Sequence, residues 1–223
     1  MTVAQELILT EGATTLPDDS ALIAALQAGD ERAFVALVEA YHGLLLRLAR
    51  PYVANATAAE DVAQETWLGV LRGLDRFEAR SSLKTWICRI LVNRARTRGE
   101  REGRQVPFSS FWGPDDAEDE PSVDPSRFHA GGQVEGHWNS MVQSWDDLPE
   151  ESLLSEETRA RIQTAVDALP ANQRTVITLR DVEGWQSAEV CAALEISEAN
   201  QRVLLHRARG KVRQALERYF EGA

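Results

Sequence analysis

Between Arg202 and Arg213 the chain places five Arg or Lys residues and no Asp or Glu. Cations at helical spacing neutralise phosphates. Each contact adds about −0.9 to the salt slope of binding, so four or five give a slope of roughly −4. On a helical wheel turning about 100° per residue, Leu204, Leu205, Ala208 and Val212 share one face. Ala199, Arg202, Val203, His206, Arg207 and Gly210 lie opposite. The apolar face packs on a domain. An outer face of Arg, His and small residues suits the major groove of DNA. A solvated basic helix is the bland alternative, and the lack of any acid from Val203 to Lys211 favours DNA.

Other chemistries find little support. Asp61 and Glu65 share a helix face, but no His or Cys joins them as a metal set. His129 and His137 have no paired Cys beside them. No nucleophile–base pair and no phosphate-binding loop is visible. Cys88 and Cys191 lie far apart without a CxxC context and read as packing thiols in a reducing cytoplasm. The expectation is a cytoplasmic protein that is not an enzyme, with no metal and no cofactor. No apolar run approaches the roughly 20 residues needed to cross a membrane, so membrane insertion is not expected.

The elements that hold the basic helix follow from charge and periodicity. The formal net charge is −11. Residues 105–157 hold 13 acidic residues and one basic residue, Arg127, so the remainder is close to neutral. Within that remainder, Lys84 to Arg104 carries seven basic and two acidic residues, a second cationic patch. Residues 1–19 are polar with little periodicity and read as a flexible extension. From Ser20 to Arg104 apolar residues recur at helical spacing. Phe34, Leu37, Val38, Tyr41, Leu44, Leu45, Leu48 and Tyr52 form one stripe, with Asp30 as N-cap and Pro51 as terminator. Thr57 and Glu60 suggest a capping box for the next helix, whose buried stripe is read as Trp67, Val70, Leu71 and Leu74. A further helix starts near Ser82 with Leu83, Trp86, Ile87, Ile90 and Leu91 inward.

Residues 105–152 lack periodicity and are rich in Gly, Pro, Ser and acids, which predicts a linker. Helical spacing resumes near Ser155 and is broken at Leu169-Pro170, at "EGWQS" and at "EIS", giving four helices over 153–223. The fold class expected is all-α: two small helical domains, 20–104 and 153–223, joined by a long acidic linker. "SAEVCAALEISEANQRVLLHRARGKVR" reads as a helix-turn-helix, with Ser187 and Ser197 able to cap its two helices. Its turn carries Glu195 where glycine is the easy choice.

These residues resemble a known family. "LPANQRTVITLRDVEGWQSAEV" followed by "ISEANQRVLLHRAR" looks like the promoter-reading C-terminal domain of the extracytoplasmic-function (ECF) sigma factors of bacterial RNA polymerase. "AEDVAQETWLGVLRGLDRF" followed by "SSLKTWICRILVNRAR" looks like the N-terminal domain of the same family. The likeness covers about 20–104 and 153–220, in the order of the family. It implies a factor that binds core RNA polymerase through the β′ clamp helices and the β flap, and promoter DNA at the −10 and −35 elements. It also implies an anti-sigma factor as a candidate partner.

Matched position by position, the resemblance puts Asp61, Gln64 and Glu65 against the clamp helices. It puts Arg80, Ser81 and Ser82 at a flipped −10 base, which must leave the stack to be read. Lys84, Asn93, Arg94, Arg96 and Arg98 fall where the backbone of the opened strand is held. Arg202, Val203, His206 and Arg207 fall at base-contacting positions for the −35 element, and Arg180 at a backbone-contacting one. Trp86 follows the core phase. Val203 stands where a small polar residue is common in the family, and Leu204 where Arg is common.

The linker is longer than the family's usual connection. A flexible chain of the 53 residues from 105 to 157 spans roughly 40 Å r.m.s.. Its aromatics, Trp112, Trp138 and Trp145 with Phe108, Phe111 and Phe128, together with its acids suggest docking on polymerase or on the two cationic patches. The competing function is a helix-turn-helix regulator that is not a polymerase subunit, which leaves "EDVAQE" and "FEARSSLKTWI" without a purpose.

Overall fold

A computed structural model describes residues 19–103 and 156–221, and all regular structure within them is helical. Four helices come first: α1 (Asp19–Gln27), α2 (Glu31–Ala49), α3 (Ala56–Gly73) and α4 (Leu83–Arg101). Four more follow: α5 (Glu156–Asp167), α6 (Ala171–Ile177), α7 (Ser187–Leu194) and α8 (Glu198–Glu221). A 3₁₀ turn over Leu74–Arg76 follows α3, and a π turn over Thr178–Val182 continues α6. The extension before Asp19 and the acidic tract lie outside the described residues, as do His129, His137 and the aromatics of that tract.

Local chemistry explains where the helices start and stop. The Asp30 carboxylate accepts the N–H of Arg32 at 2.9 Å and of Ala33 at 3.3 Å, so α2 begins as expected. It ends at Ala49, ahead of Pro51, whose ring and missing N–H cannot continue a helix. The capping box at Thr57 and Glu60 does not form. Asn55 caps α3 instead, its Oδ1 accepting the Ala58 N–H at 2.8 Å, so Thr57 already sits inside the first turn. Glu60 turns to His42, 3.3 Å away. Ser82 caps α4 through the Thr85 N–H at 3.3 Å.

In the second half Pro170 opens α6. Gln186, not Ser187, is the N-cap of α7, and its N–H donates to the Glu189 carboxylate at 2.8 Å. Ser187 lies in the first turn and donates to Gln201 of α8 at 3.0 Å, tying the two helices together. Ser197 performs the capping role expected of it, accepting the Asn200 N–H at 3.2 Å.

The apolar stripes meet as the periodicity predicts. Leu37, Leu44, Leu45, Leu48 and Tyr52 of the first stripe are buried. Leu83, Ile87 and Leu91 of α4 are buried too, while Trp86 and Ile90 are half-buried. Trp86 packs on Phe77, ring centroids 4.8 Å apart, and lies over Gly73, where an added Cβ would come within 3.0 Å of its ring. Leu71 departs from expectation: it is 48% exposed. The buried arc of α3 runs through Ala59, Val62, Ala63, Trp67 and Val70 and continues to Leu74 in the 3₁₀ turn. Leu71 lies about 40° beyond Trp67 at its outer edge.

The two halves do not stand apart. Helix α4 lies on α7, and one continuous apolar core includes Leu45 and Ile87 from the first half and Val176 and Leu194 from the second. The Tyr52 hydroxyl and Thr175 Oγ1 share a hydrogen bond of 2.9 Å, with both side chains buried. Burial raises the Tyr52 phenol above its ordinary value, against the opposing pull of Arg96 and Thr175, so it stays neutral. Cys88 is fully buried and its thiol is pushed up to about 12, chiefly by burial, which leaves it an unreactive packing group.

Candidate nucleic-acid and polymerase interfaces

Helix α8 presents the side chains selected on the helical wheel. Leu204, Leu205 and Ala208 are buried against the domain, and Arg202, Val203 and His206 are exposed. Arg207 is half-buried at the edge of the same face. Arg202 also pairs with Glu198 one turn earlier at 3.2 Å, an exposed contact that leaves its guanidinium accessible. Arg209 is committed elsewhere: it makes a two-pronged contact to Asp181 at 2.8 and 2.6 Å, which raises its guanidinium further above its ordinary value. Arg180 donates to the Trp185 carbonyl and is only partly exposed.

The turn ahead of α8 adopts the strained option. Glu195 has φ 57° and ψ 44°, the left-handed region, at a cost of about 1 kcal/mol for a residue with a Cβ. Its carboxylate accepts a hydrogen bond from Asn93 of α4 at 3.4 Å.

The eight side chains expected to hold the −10 strand fall into three groups. Arg80, Ser81 and Ser82 lie in the loop before α4, where Ala79 takes φ 53°. Arg80 is exposed and pairs with Glu78. Ser81 donates to the Ser82 carbonyl at 3.4 Å. The Ser82 hydroxyl is engaged with Thr85, at 2.7 Å to its Oγ1, as part of the α4 cap. Lys84, Asn93 and Arg96 face the second half. Lys84 sits 2.9 Å from Glu189 and 4.8 Å above the Trp185 ring, and Arg96 is buried and donates to the Leu194 carbonyl at 3.3 Å. Burial alone would raise the Glu189 carboxyl, but the bonds from Lys84 and the Gln186 N–H outweigh it and hold it below its ordinary value. Arg94 and Arg98 face α3, with Arg94 3.3 Å from Glu65 and Arg98 3.7 Å from Asp61.

Asp61, Gln64 and Glu65 do share an outward face of α3. Two residues join them that the sequence reading missed. Leu68 is 52% exposed, and Leu71 shares that face at 48%. On the wheel Leu71 falls about 20° from Gln64, and Leu68 about 20° from Asp61. That placement was the available signal. The face is therefore an apolar ridge flanked by acids, a composition suited to another protein. Among the described residues no group of His, Cys, Asp or Glu is arranged to hold a metal ion, and no helix is long and apolar enough to cross a membrane.

Comparison with known proteins matches both halves. Residues 37–105 match Sigma-70 region 2, and residues 159–212 match Sigma-70, region 4. The chain is 30% identical over 203 residues to the RNA polymerase sigma-H factor of Pseudomonas aeruginosa, covering 91% of this chain and 96% of the relative. It is 31% identical over 191 residues to the ECF RNA polymerase sigma-E factor of Escherichia coli, covering 86% and 90%. Among solved structures, CnrH in complex with the cytosolic domain of CnrY aligns with a TM-score of 0.54 at 22% identity, covering 89% of this chain and 96% of that one. The sigma factor RpoE in complex with the anti-sigma factor NepR from Bartonella quintana aligns at 0.51 and 18%, covering 82% and 96%. At those identities the structural likeness speaks for the fold.

Proposed function

The chain belongs to the ECF sigma factors of the sigma-70 family of RNA polymerase, and from that premise we propose a division of labour among its surfaces. As a sigma factor it binds core polymerase and promoter DNA and directs initiation. Residues 20–104 serve as sigma domain 2 and residues 153–223 as sigma domain 4, with 105–152 as the connection. The α3 face of Asp61, Gln64 and Glu65, extended by Leu68 and Leu71, docks on the β′ clamp helices. Domain 4 docks on the β flap. The observation that carries this reading is the exposed apolar ridge among carboxylates on α3. Exposed leucines at about half accessibility gain from burial against a partner, and the acids around them set its orientation.

Arg80 and Ser81 offer donors to an extruded −10 base, and Ser82 acts there chiefly by fixing the start of α4. Lys84, Asn93, Arg94, Arg96 and Arg98 hold the backbone of the opened strand. Arg202, Val203, His206 and Arg207 read the −35 element in the major groove, and Arg180 supports the approach at the backbone. The chain contributes no catalytic chemistry; bond formation belongs to the polymerase. It works in the cytoplasm, where polymerase and promoters are. An anti-sigma factor is a fitting partner, since one structural neighbour was solved with the anti-sigma factor NepR bound.

Co-purification separates this reading from that of a free-standing helix-turn-helix regulator. Tagged protein should retain core polymerase in the absence of promoter DNA, whereas a regulator that only binds DNA would not. A finer outcome concerns Val203, which is 42% exposed on the reading face. Its methyl groups match a thymine methyl, so Val203→Ser should shift the preferred −35 base at one position in a binding selection. An unchanged preference would remove Val203 from the reading set.

A further inference from the structure

We infer that α1 is a splint for the −10 loop: through Asp19 and Gln27 it holds both ends of the segment from Phe77 to Ser82, and so sets the shape in which Arg80 and Ser81 meet an extruded base. The inference rests on the assignment of that loop to the −10 element given above. Helix α1 itself lies outside the residues matched to Sigma-70 region 2, which begin at 37.

The loop has little of its own to hold it. Glu78, Ala79 and Arg80 are all exposed. Glu78 and Arg80 pair with each other in solvent, a contact that confers little rigidity. Ala79 nevertheless takes φ 53°, a conformation in which its Cβ crowds the backbone. A residue strained in this way persists only where its surroundings over-determine it. Ala79 is exposed, so the constraint comes from the ends of the loop.

Both ends are tied to α1. Upstream, the Gln27 side-chain amide donates to the Leu74 carbonyl at 3.1 Å, and the same carbonyl accepts the Phe77 N–H at 3.0 Å. The Phe77 ring then rests on Trp86. Downstream, Asp19 Oδ2 accepts the Leu83 N–H at 3.3 Å. Ser82 already accepts the Thr85 N–H, so Asp19 satisfies a helix-start donor that the cap leaves over. The two bonds join residues 47 and 64 positions apart, which makes them tertiary ties and not local turns. Leu22 and Leu26 are buried and fix α1 as a bar of about 12 Å between its two polar residues. Those leucines serve the core. Asp19 and Gln27 are exposed, and the groups they reach are a backbone carbonyl and a backbone N–H that flank one loop.

A base leaves its stack at a cost, so donors that are already in place bind it better than donors that must first be ordered. Without the splint the loop samples several shapes. Its apparent affinity for the extruded base then falls with the fraction in the reading shape. Asp19 and Gln27 are therefore positioning residues, acting through Arg80 and Ser81.

The test uses the full chain with core polymerase on promoters randomised across the −10 element and constant elsewhere. Arg80→Ala with Ser81→Ala locates the position read by the loop, as the one where base preference is lost. Asp19→Ala with Gln27→Ala should lower the preference at that same position by at least about fivefold, with the other −10 positions and core affinity within about twofold of wild type. Each single substitution should give a smaller loss at the same place. Asp19→Asn keeps an oxygen for the Leu83 N–H and should retain the wild-type preference.

An undiminished preference in the Asp19→Ala, Gln27→Ala protein would overturn the splint. So would a loss spread evenly over all positions or accompanied by weaker core binding, since that is the mark of a general structural role. A loss in Asp19→Asn as large as in Asp19→Ala also counts against it. If Arg80→Ala with Ser81→Ala changes the preference at no position, the assignment of the loop to a −10 base is refuted instead, so the two failures are distinguishable.

Discussion

Leu71→Glu is expected to weaken binding to core RNA polymerase by about a hundredfold, because it places an unpaired carboxylate in a desolvated contact at a cost of roughly 3 kcal/mol. The fold should be untouched. Leu71 is 48% exposed and lies at the edge of the α3 core arc, and surface substitutions of this kind stay within about 0.5 kcal/mol. Titration of labelled core enzyme, alongside a thermal melt, separates the two effects. Leu68→Glu on the same ridge should behave alike. An unchanged affinity with an unchanged melt would remove the ridge from the polymerase interface, leaving Asp61, Gln64 and Glu65 without an apolar centre.

Arg202→Ala and Arg207→Ala should each lower initiation from the cognate promoter by roughly tenfold to a hundredfold. A two-pronged arginine contact to guanine carries about 1–3 kcal/mol of discrimination. Stability should barely move for Arg202, since its pair with Glu198 is an exposed contact between helical neighbours. Arg209→Ala offers the contrast. Its guanidinium is engaged by Asp181, so that substitution should act on the packing of α8 against the π turn rather than on base preference. Equal base preferences for wild type and Arg202→Ala would remove that arginine from the reading set.

The helices themselves were legible because helical periodicity is a local property. Asp30 and Ser197 declared their caps by type and position, a helix start was legible near Ser82, and the stripe from Leu37 to Tyr52 declared its buried face. The outward face of α8 followed from the same wheel. Two caps were misplaced by one or two residues, at Asn55 and Gln186, because Thr57 and Ser187 also carry side-chain oxygens able to accept the N–H groups of a helix start. Leu71 was misread because a leucine at the edge of an apolar arc has the same local pattern whether it faces the core or a partner.

The contact between the halves had no local signal. Nothing in the run from Lys84 to Arg104 announces that Lys84 and Arg96 meet Glu189 and the Leu194 carbonyl, about a hundred positions further on. Pairings at that separation depend on how two separately formed helical units dock. Glu195 was the one trace: a left-handed turn without glycine marks a position where the side chain has a use.

The most direct test of the central claim is run-off transcription with core polymerase, purified full-length chain and a library of randomised promoters. Defined start sites should emerge only with the chain present, each with a shared upstream pair of sequence elements about two duplex turns apart. A library that yields no chain-dependent start site, although the protein is folded, would contradict the account.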